Sequence, residues 1–459
     1  MINIRLNLII PFSLLIYLFI NCRSNNQNSE KKPNIIIIYT DDLGYGDVSA
    51  YKKGTLNTPN IDKLANEGIR FTNGYSSSAT CSPSRYALLT GTYPWRNAEA
   101  KIITGGSLII DTNEVTIPKL LKQNGYQTAI VGKWHLGLGL NKIDYNSTIS
   151  PGPNELGFNY TYIMPDTQDR VPTVYVENGK VVNLDPKDPI EVDFKNNFQD
   201  QPTGKANPEL LKMKWHHGHN GSIVNGISRI GFMKGGETAK WSDIGMADHF
   251  LEKAKSYIKE NKDNSFFLFY ALQQPHVPRT PHPRFKGKSG MGPRGDAIIE
   301  ADWCVGELYK TLESEGIIDN TLIIFSSDNG PVLNDGYYDD AVEKIGDHTP
   351  SGGLRGGKYS LFEAGTRVPF ISYWKNRIKP TISNKIISQV DILSSVAKII
   401  GSEYRSQDGK DLSGLILGNL GAGRNELILE ATTRTAYRNG DWVMIPPVSY
   451  THLTLPTKA

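Results

Sequence analysis

Pro33-Asn34-Ile35-Ile36-Ile37-Ile38-Tyr39-Thr40-Asp41-Asp42 is a short apolar run, rich in β-branched residues, that ends abruptly on two carboxylates. β-Branched side chains favour a pleated strand. An unbroken apolar run, as opposed to an alternating one, means burial on both faces, the environment of a central parallel strand. Asp41 and Asp42 then stand at the C-terminal end of that strand, where open α/β sheets gather their sites. Working outward, Thr58-Pro59 starts a helix that continues through Leu64 and Ala65, with proline at the first helical position. Comparable strands are expected at 128–131, 265–270, 321–325 and 369–373, alternating with helices such as 247–259 and 295–312. This pattern predicts a doubly wound, mostly parallel α/β sheet flanked by helices. Residues 141–240, rich in Pro, Gly and Asn and weakly periodic, are expected to form long loops over the active face and to carry substrate choice. Beyond Asp408-Gly409, segments 426–431 and 442–445 read as strands of a smaller C-terminal antiparallel sheet.

Two further stretches carry chemistry. The first is Cys81-Ser82-Pro83-Ser84-Arg85, followed by Leu88-Leu89-Thr90-Gly91. The second is Gly125-Tyr126-Gln127-Thr128 through Gly132-Lys133-Trp134-His135-Leu136-Gly137, at the end of an expected strand. Together, and in this order, they resemble the two signatures of the type I, formylglycine-dependent sulfatases of the alkaline-phosphatase superfamily, a resemblance that extends over about residues 33–408. It implies an alkaline-phosphatase-like fold and the conversion of Cys81 to formylglycine by a maturation enzyme. It also implies that Lys133 and His135 contact the formylglycine and the sulfate. Pro275-His276-Val277-Pro278 resembles the family segment whose histidine touches the sulfate, which assigns His276. Leu354-Arg355-Gly356-Gly357-Lys358, followed by Glu363-Ala364-Gly365-Thr366-Arg367-Val368-Pro369, resembles the stretch that supplies Lys358 as a second sulfate contact, with Ala364 where glycine is commoner. Glu363 and Arg367 either hold that loop or touch substrate.

A hard divalent cation takes several oxygen ligands, and calcium tolerates irregular geometry. Asp41, Asp42, and Asp328-Asn329 in Ser327-Asp328-Asn329-Gly330 supply three carboxylates and an amide oxygen after two expected strands. With an oxygen of the modified Cys81, they resemble the family's calcium site. The chemistry suits a sulfate ester, because negative charge on the sulfuryl and leaving oxygens can be met by Lys133, Lys358, the cation and a protonated His276. A hydrated aldehyde offers one hydroxyl to attack and a second which, deprotonated by His135, expels sulfate. Arg85 is expected to orient the diol, and Asp328 to activate the attacking hydroxyl. His216-His217-Gly218-His219 lacks a paired cysteine or carboxylate motif, so it reads as a substrate-lining or solvated loop in preference to zinc. Cys304, beside Trp303, reads as core.

The chain has 459 residues, 39% hydrophobic and 21% charged, enough for one large α/β domain and a small one, and its net charge of +3 gives no argument for nucleic acid. Residues 6–20 form an apolar run of signal-segment length, and Phe19-Ile20-Asn21-Cys22 resembles a lipoprotein cleavage box with Asn21 as a departure. Cys22 is expected to be lipidated, against simple cleavage or a retained anchor, with 23–32 as a polar tether. The expected location is extracytoplasmic, as a periplasmic or outer-membrane bacterial lipoprotein, with membrane contact through the lipid anchor alone. Residues 33–410 are expected to be the catalytic domain and 411–447 the start of the C-terminal subdomain. Residues 448–459 look like a translated sequencing-library adapter, so the natural chain is expected to continue past about Pro447. The expected function is hydrolysis of sulfate esters on a sulfated glycan or an aryl sulfate. The alternatives are a phosphonate or phosphodiester hydrolase of the same superfamily and a non-catalytic protein that binds sulfated glycans.

Overall fold

The isoleucine run forms the strand it predicts, Asn34–Thr40 (β1), and every residue of it is buried. A computed structural model describes residues 32–54, 56–419 and 421–447. The expected signal segment, the tether through residue 31 and the tail at 448–459 lie outside the described residues. The other strands of the main sheet are Ile69–Tyr75 (β2), Gln127–Lys133 (β3), Tyr160–Met164 (β4), Val176–Glu177 (β5), Lys180–Val181 (β6), Phe266–Ala271 (β7), Thr321–Ser327 (β8), Phe370–Tyr373 (β9) and Thr381–Ser388 (β10). Among the described residues they lie in the order β10-β2-β9-β8-β1-β7-β3-β4-β5-β6.

Side chains alternate across a strand, and β1 uses both faces. Ile35, Ile37 and Tyr39 enter one apolar cluster, together with Leu88 and Leu89 of helix Cys81–Thr90 (α1) and Leu393 and Val396 of helix Ile392–Ile399 (α2). Ile36 and Ile38 enter the other, with Phe250 and Leu251 of helix Met246–Asn261 (α3) and Ile298 and Leu308 of helix Gly292–Ser314 (α4). Helices therefore cover both sides. Each fully buried isoleucine contributes about 1.5–3 kcal/mol of apolar transfer, which is why the run is continuous. Cys304 lies in the second cluster, as core.

Strands β8, β1, β7, β3 and β4 are mutually parallel. Segment 369–373, expected as one more strand of the same kind, runs antiparallel to both β8 and β2. The connection from β8 to β9 carries no helical crossover, only the four-residue turn of helix Glu363–Thr366, so the chain re-enters from the edge it left and runs back. Three short antiparallel strands, Glu426–Ala431, Arg434–Asn439 and Trp442–Met444, form the expected small C-terminal sheet. Its middle strand alternates polar residues and was not legible in the sequence.

Candidate active site

Four neighbouring parallel strands end at one edge of the sheet, and the chemistry of the molecule is collected there. Thr40 pairs in register with Ser327, so Asp41 and Asp42 leave β1 beside Asp328 and Asn329 leaving β8. The main chain ties the exits together: Asp328 N donates to Thr40 O and Asp41 N to Gln274 O, both at 3.1 Å. Lys133 ends β3 with His135 two residues on, and His276 follows β7. Two non-glycine residues here, Asp42 (φ 62°) and His135 (φ 55°), hold left-handed backbone, a strain of about 1–3 kcal/mol that clusters at active sites.

Cys81 is the first residue of α1 and is buried. Its Sγ lies 3.7 Å from Asp41 Oδ1, and one ligand atom from each of Asp41, Asp42, Cys81 and Asp328 falls within 4.8 Å of the others. Asn329 donates Nδ2 to Asp42 Oδ1 at 2.7 Å, while its Oδ1 is buried without a hydrogen-bond partner among the described residues. Three cations hold the carboxylates. Lys133 Nζ sits 2.5 Å from Asp41 Oδ2 and 3.8 Å from Asp328 Oδ2. Lys358 Nζ donates to Asp42 Oδ2 and Asp335 Oδ2, each at 2.8 Å. Arg85, one helical turn beyond Cys81, donates Nε and Nη2 to Asp328 Oδ2 at 3.1 and 2.9 Å, and Nη1 to Lys133 O at 3.1 Å. Its fork is thus committed to Asp328 and to the end of β3.

The two histidines are held in defined tautomers. His135 Nε2 lies 3.0 Å from Ile103 O. A carbonyl can only accept, so Nε2 carries the proton and Nδ1 the lone pair, and Nδ1 is buried with no hydrogen-bond partner among the described residues. Burial and the neighbouring Lys133 hold His135 well below its usual pKa. His276 donates Nδ1 to Val277 O at 2.7 Å, and its Nε2 lies 3.9 Å from Asp42 Oδ2. Burial, then Lys358, lowers its pKa to about 4. Cys81, His135, His276 and Lys358 line one cavity of about 210 Å³.

A family model described as Sulfatase matches residues 33–402. The chain belongs to the sulfatase family. It is 49% identical over 431 residues to an N-acetylgalactosamine-6-O-sulfatase of Bacteroides thetaiotaomicron, covering 93% of this chain and 84% of that protein. It is 31% identical to human arylsulfatase A over 398 residues, 84% of this chain and 68% of that one. A solved Bacteroides thetaiotaomicron structure, described in the context of the metabolism of multiple glycosaminoglycans, superposes with a TM-score of 0.90 at 48% identity, covering 92% of this chain and 89% of that chain. The protein is thus a sulfuric ester hydrolase.

The sulfatase's cavity wall also contains Asp169, Arg170, Asp335 and Tyr359, which no motif flagged, and His217 and His219 of the stretch read as a substrate-lining or solvated loop. Asp169 and Arg170 follow β4, and the histidines come from the 141–240 loops, as the loop reading expected. His219 Nε2 lies 2.7 Å from Asp169 Oδ2 and Nδ1 lies 2.8 Å from His217 O. Among the described residues, no group able to hold a metal includes these histidines.

The buried neutral histidines have a consequence for stability. Their folded pKa values lie below the unfolded value of about 6.5, so below that pH the unfolded chain binds protons that the folded chain does not. Their contribution is present above pH 6.5 and is lost as pH falls. Glu300 and Glu430, each raised by burial to about 7, act in the opposite direction, so the histidine part is isolated by difference. Urea unfolding of the wild type is expected to lose about 2 kcal/mol between pH 6 and pH 5 relative to the double variant His135→Gln, His276→Gln. Parallel pH curves for the two proteins would contradict this.

Proposed function

We propose that the sulfatase is an exported, calcium-dependent, formylglycine-bearing enzyme that removes the 6-O-sulfate of N-acetylgalactosamine units in sulfated glycans. The observation that carries the mechanism is the placement of Cys81. It heads a buried helix, within reach of three carboxylates, and shares its cavity with His135, whose Nδ1 lone pair has no hydrogen-bond partner among the described residues. Burial pushes the Cys81 thiol well above its usual pKa, so the unmodified side chain is a poor nucleophile. Its conversion by a formylglycine-generating enzyme supplies the hydroxyls that sulfur lacks. The substrate assignment draws on the 49% identical relative and on a cavity below the usual 300 Å³ or more of drug-sized ligand sites, in keeping with a single sulfated sugar unit. Export, to the periplasm or the outer membrane, draws on the apolar run 6–20 and Cys22.

The residues fit a hard cation. Asn329 Oδ1 is an unused buried acceptor, and Asp41 is held well above the carboxylate range by burial and by Asp328, a crowding that a divalent ion would relieve. Asp41, Asp42, Asp328 and Asn329 would hold calcium, which when bound supplies positive charge to the sulfate oxygens. Lys133 and Lys358 stand ready to stabilise the charge that develops on the sulfuryl group. His135 Nδ1 accepts the proton of a residue-81 hydroxyl. His276 is neutral until a sulfate oxygen adds the negative charge that favours its protonation, so it becomes a proton donor to the leaving oxygen only in the substrate complex.

A sulfate-release assay on purified, matured enzyme tests the substrate reading. Glycans carrying 6-O-sulfated N-acetylgalactosamine are expected to react about a hundredfold or more faster than those carrying 4-O-sulfate or 6-O-sulfated N-acetylglucosamine, since a site built to bond particular hydroxyls rejects the alternatives. Faster release from either alternative would overturn the assignment. Faster turnover of an aryl phosphate than of its matched aryl sulfate would favour the phosphoester alternative.

A further inference from the structure

His135 depends on one acceptor, the Ile103 carbonyl, for its tautomer; the Ile103 side chain packs against the core, but the stretch that follows it, residues 104–107, is largely exposed. Segment 103–107 runs between two clefts, one of about 610 Å³ bordered by Tyr145 and Phe194 and one of about 380 Å³ bordered by Asn97 and Lys101. Its polar anchors are few. Gly105 N donates to Asp166 Oδ2 at 2.7 Å, Leu138 N donates to Gly106 O at 3.0 Å, and two weak contacts at 3.5 Å join Ile103 N to Ser82 Oγ and Arg170 Nε to Thr104 Oγ1. The first is the shortest and the only one of the four to a carboxylate, and charge-assisted bonds of this kind are about twice as strong as neutral ones. Asp166 is buried and follows Pro165, whose carbonyl accepts His135 N at 3.0 Å. One dipeptide thus holds the backbone of His135 directly and its ring through the loop. Gly105 itself has φ 60°, and a Cβ there would stand 2.1 Å from the Phe194 ring, so its N–H is presented by a backbone turn that other residues enter only with strain.

We infer that Asp166 is a positioning residue for catalysis: by fixing the Gly105 N–H it keeps the Ile103 carbonyl on His135 Nε2 and so keeps the Nδ1 lone pair in the cavity. The inference rests on the reading of His135 as the base. Without the Asp166 bond, the loop can relax into either cleft and the ring loses the acceptor that selects its tautomer.

The test uses the full-length, matured enzyme. Asp166→Ala is expected to lower kcat about 10- to 100-fold, the scale of a misplacement of about 1 Å, with KM changed by less than about threefold. Asp166→Asn, whose side-chain oxygen can still accept from Gly105, is expected to stay within about threefold of the wild-type kcat. Asp166→Ser, polar but too short to reach, is expected to match the alanine variant and replaces it if alanine does not fold. Imidazole ¹⁵N NMR reads the tautomer, with the His135 signal among nine histidines assigned by its absence in His135→Gln. The Nε2–H form is expected in the wild type and Asp166→Asn, and a mixture of forms in Asp166→Ala or Asp166→Ser. An unchanged kcat in Asp166→Ala or Asp166→Ser, or a loss of kcat with the tautomer unchanged, would overturn the inference and leave the His135 reading intact. That reading fails separately if His135→Ala retains wild-type turnover.

Discussion

Replacement of Cys81 by alanine is expected to abolish sulfate release, a loss on the order of a millionfold in kcat, the scale seen when a hydrolase loses its nucleophile. The loss is expected with little change in fold. Cys81 Sγ makes a long contact to Asp41 at 3.7 Å, while α1 is held by Leu88 and Leu89 in the core, so thermal unfolding should move by only a few degrees. Cys81→Ser should be equally inactive over many turnovers, because a serine has a single hydroxyl and cannot expel the sulfate it accepts. In wild-type enzyme produced with a maturation enzyme, peptide mass spectrometry should find an aldehyde at position 81. Full activity with an unmodified thiol at that position would refute the proposed chemistry.

His135→Ala is expected to reduce kcat by about 100- to 10,000-fold, the range for loss of a general base, with a much smaller effect on KM. His135 is buried, its Nε2 is bound to Ile103 O, and its Nδ1 has no hydrogen-bond partner among the described residues. A buried nitrogen left unpartnered costs about 1–3 kcal/mol, a cost that a proton-accepting role in the substrate complex would account for. Added imidazole should fill the vacated space and restore part of the rate, because what is missing is a lone pair of suitable basicity. Wild-type turnover in the alanine variant, or a loss that imidazole leaves untouched while unfolding shifts strongly, would remove the base role.

Asp328 joins the two halves of the site. It accepts from Nε and Nη2 of Arg85 and faces Lys133, and Asp42 N donates to its Oδ1 at 3.2 Å. Burial of several charges together is tolerated only when each has a partner. The interlocking pairs Lys133 with Asp41, Lys358 with Asp42 and Arg85 with Asp328 meet that condition while leaving Asn329 Oδ1 unused.

What the sequence determined by itself was the sheet, its active edge and the identity of the reacting groups. The run Ile35–Tyr39 can be apolar throughout only if both faces are covered, and the parallel pairing this implies brings strand ends together, so Asp41, Asp42, Asp328 and Asn329 were legible as one site. Cys81, Lys133, His135, His276 and Lys358 were named by the resemblance of their local motifs to the sulfatase signatures. The tertiary structure alone decided where each side chain's hydrogen bonds go. Arg85 holds Asp328, Lys358 stands beside His276 and lowers its pKa, and β9 runs antiparallel, and each outcome depends on a neighbour tens to hundreds of residues away. Asp166 and Asp169 were invisible for the same reason: no local pattern marks a loop residue whose partner, such as Gly105 or His219, is fixed only when two distant loops meet over the strand ends.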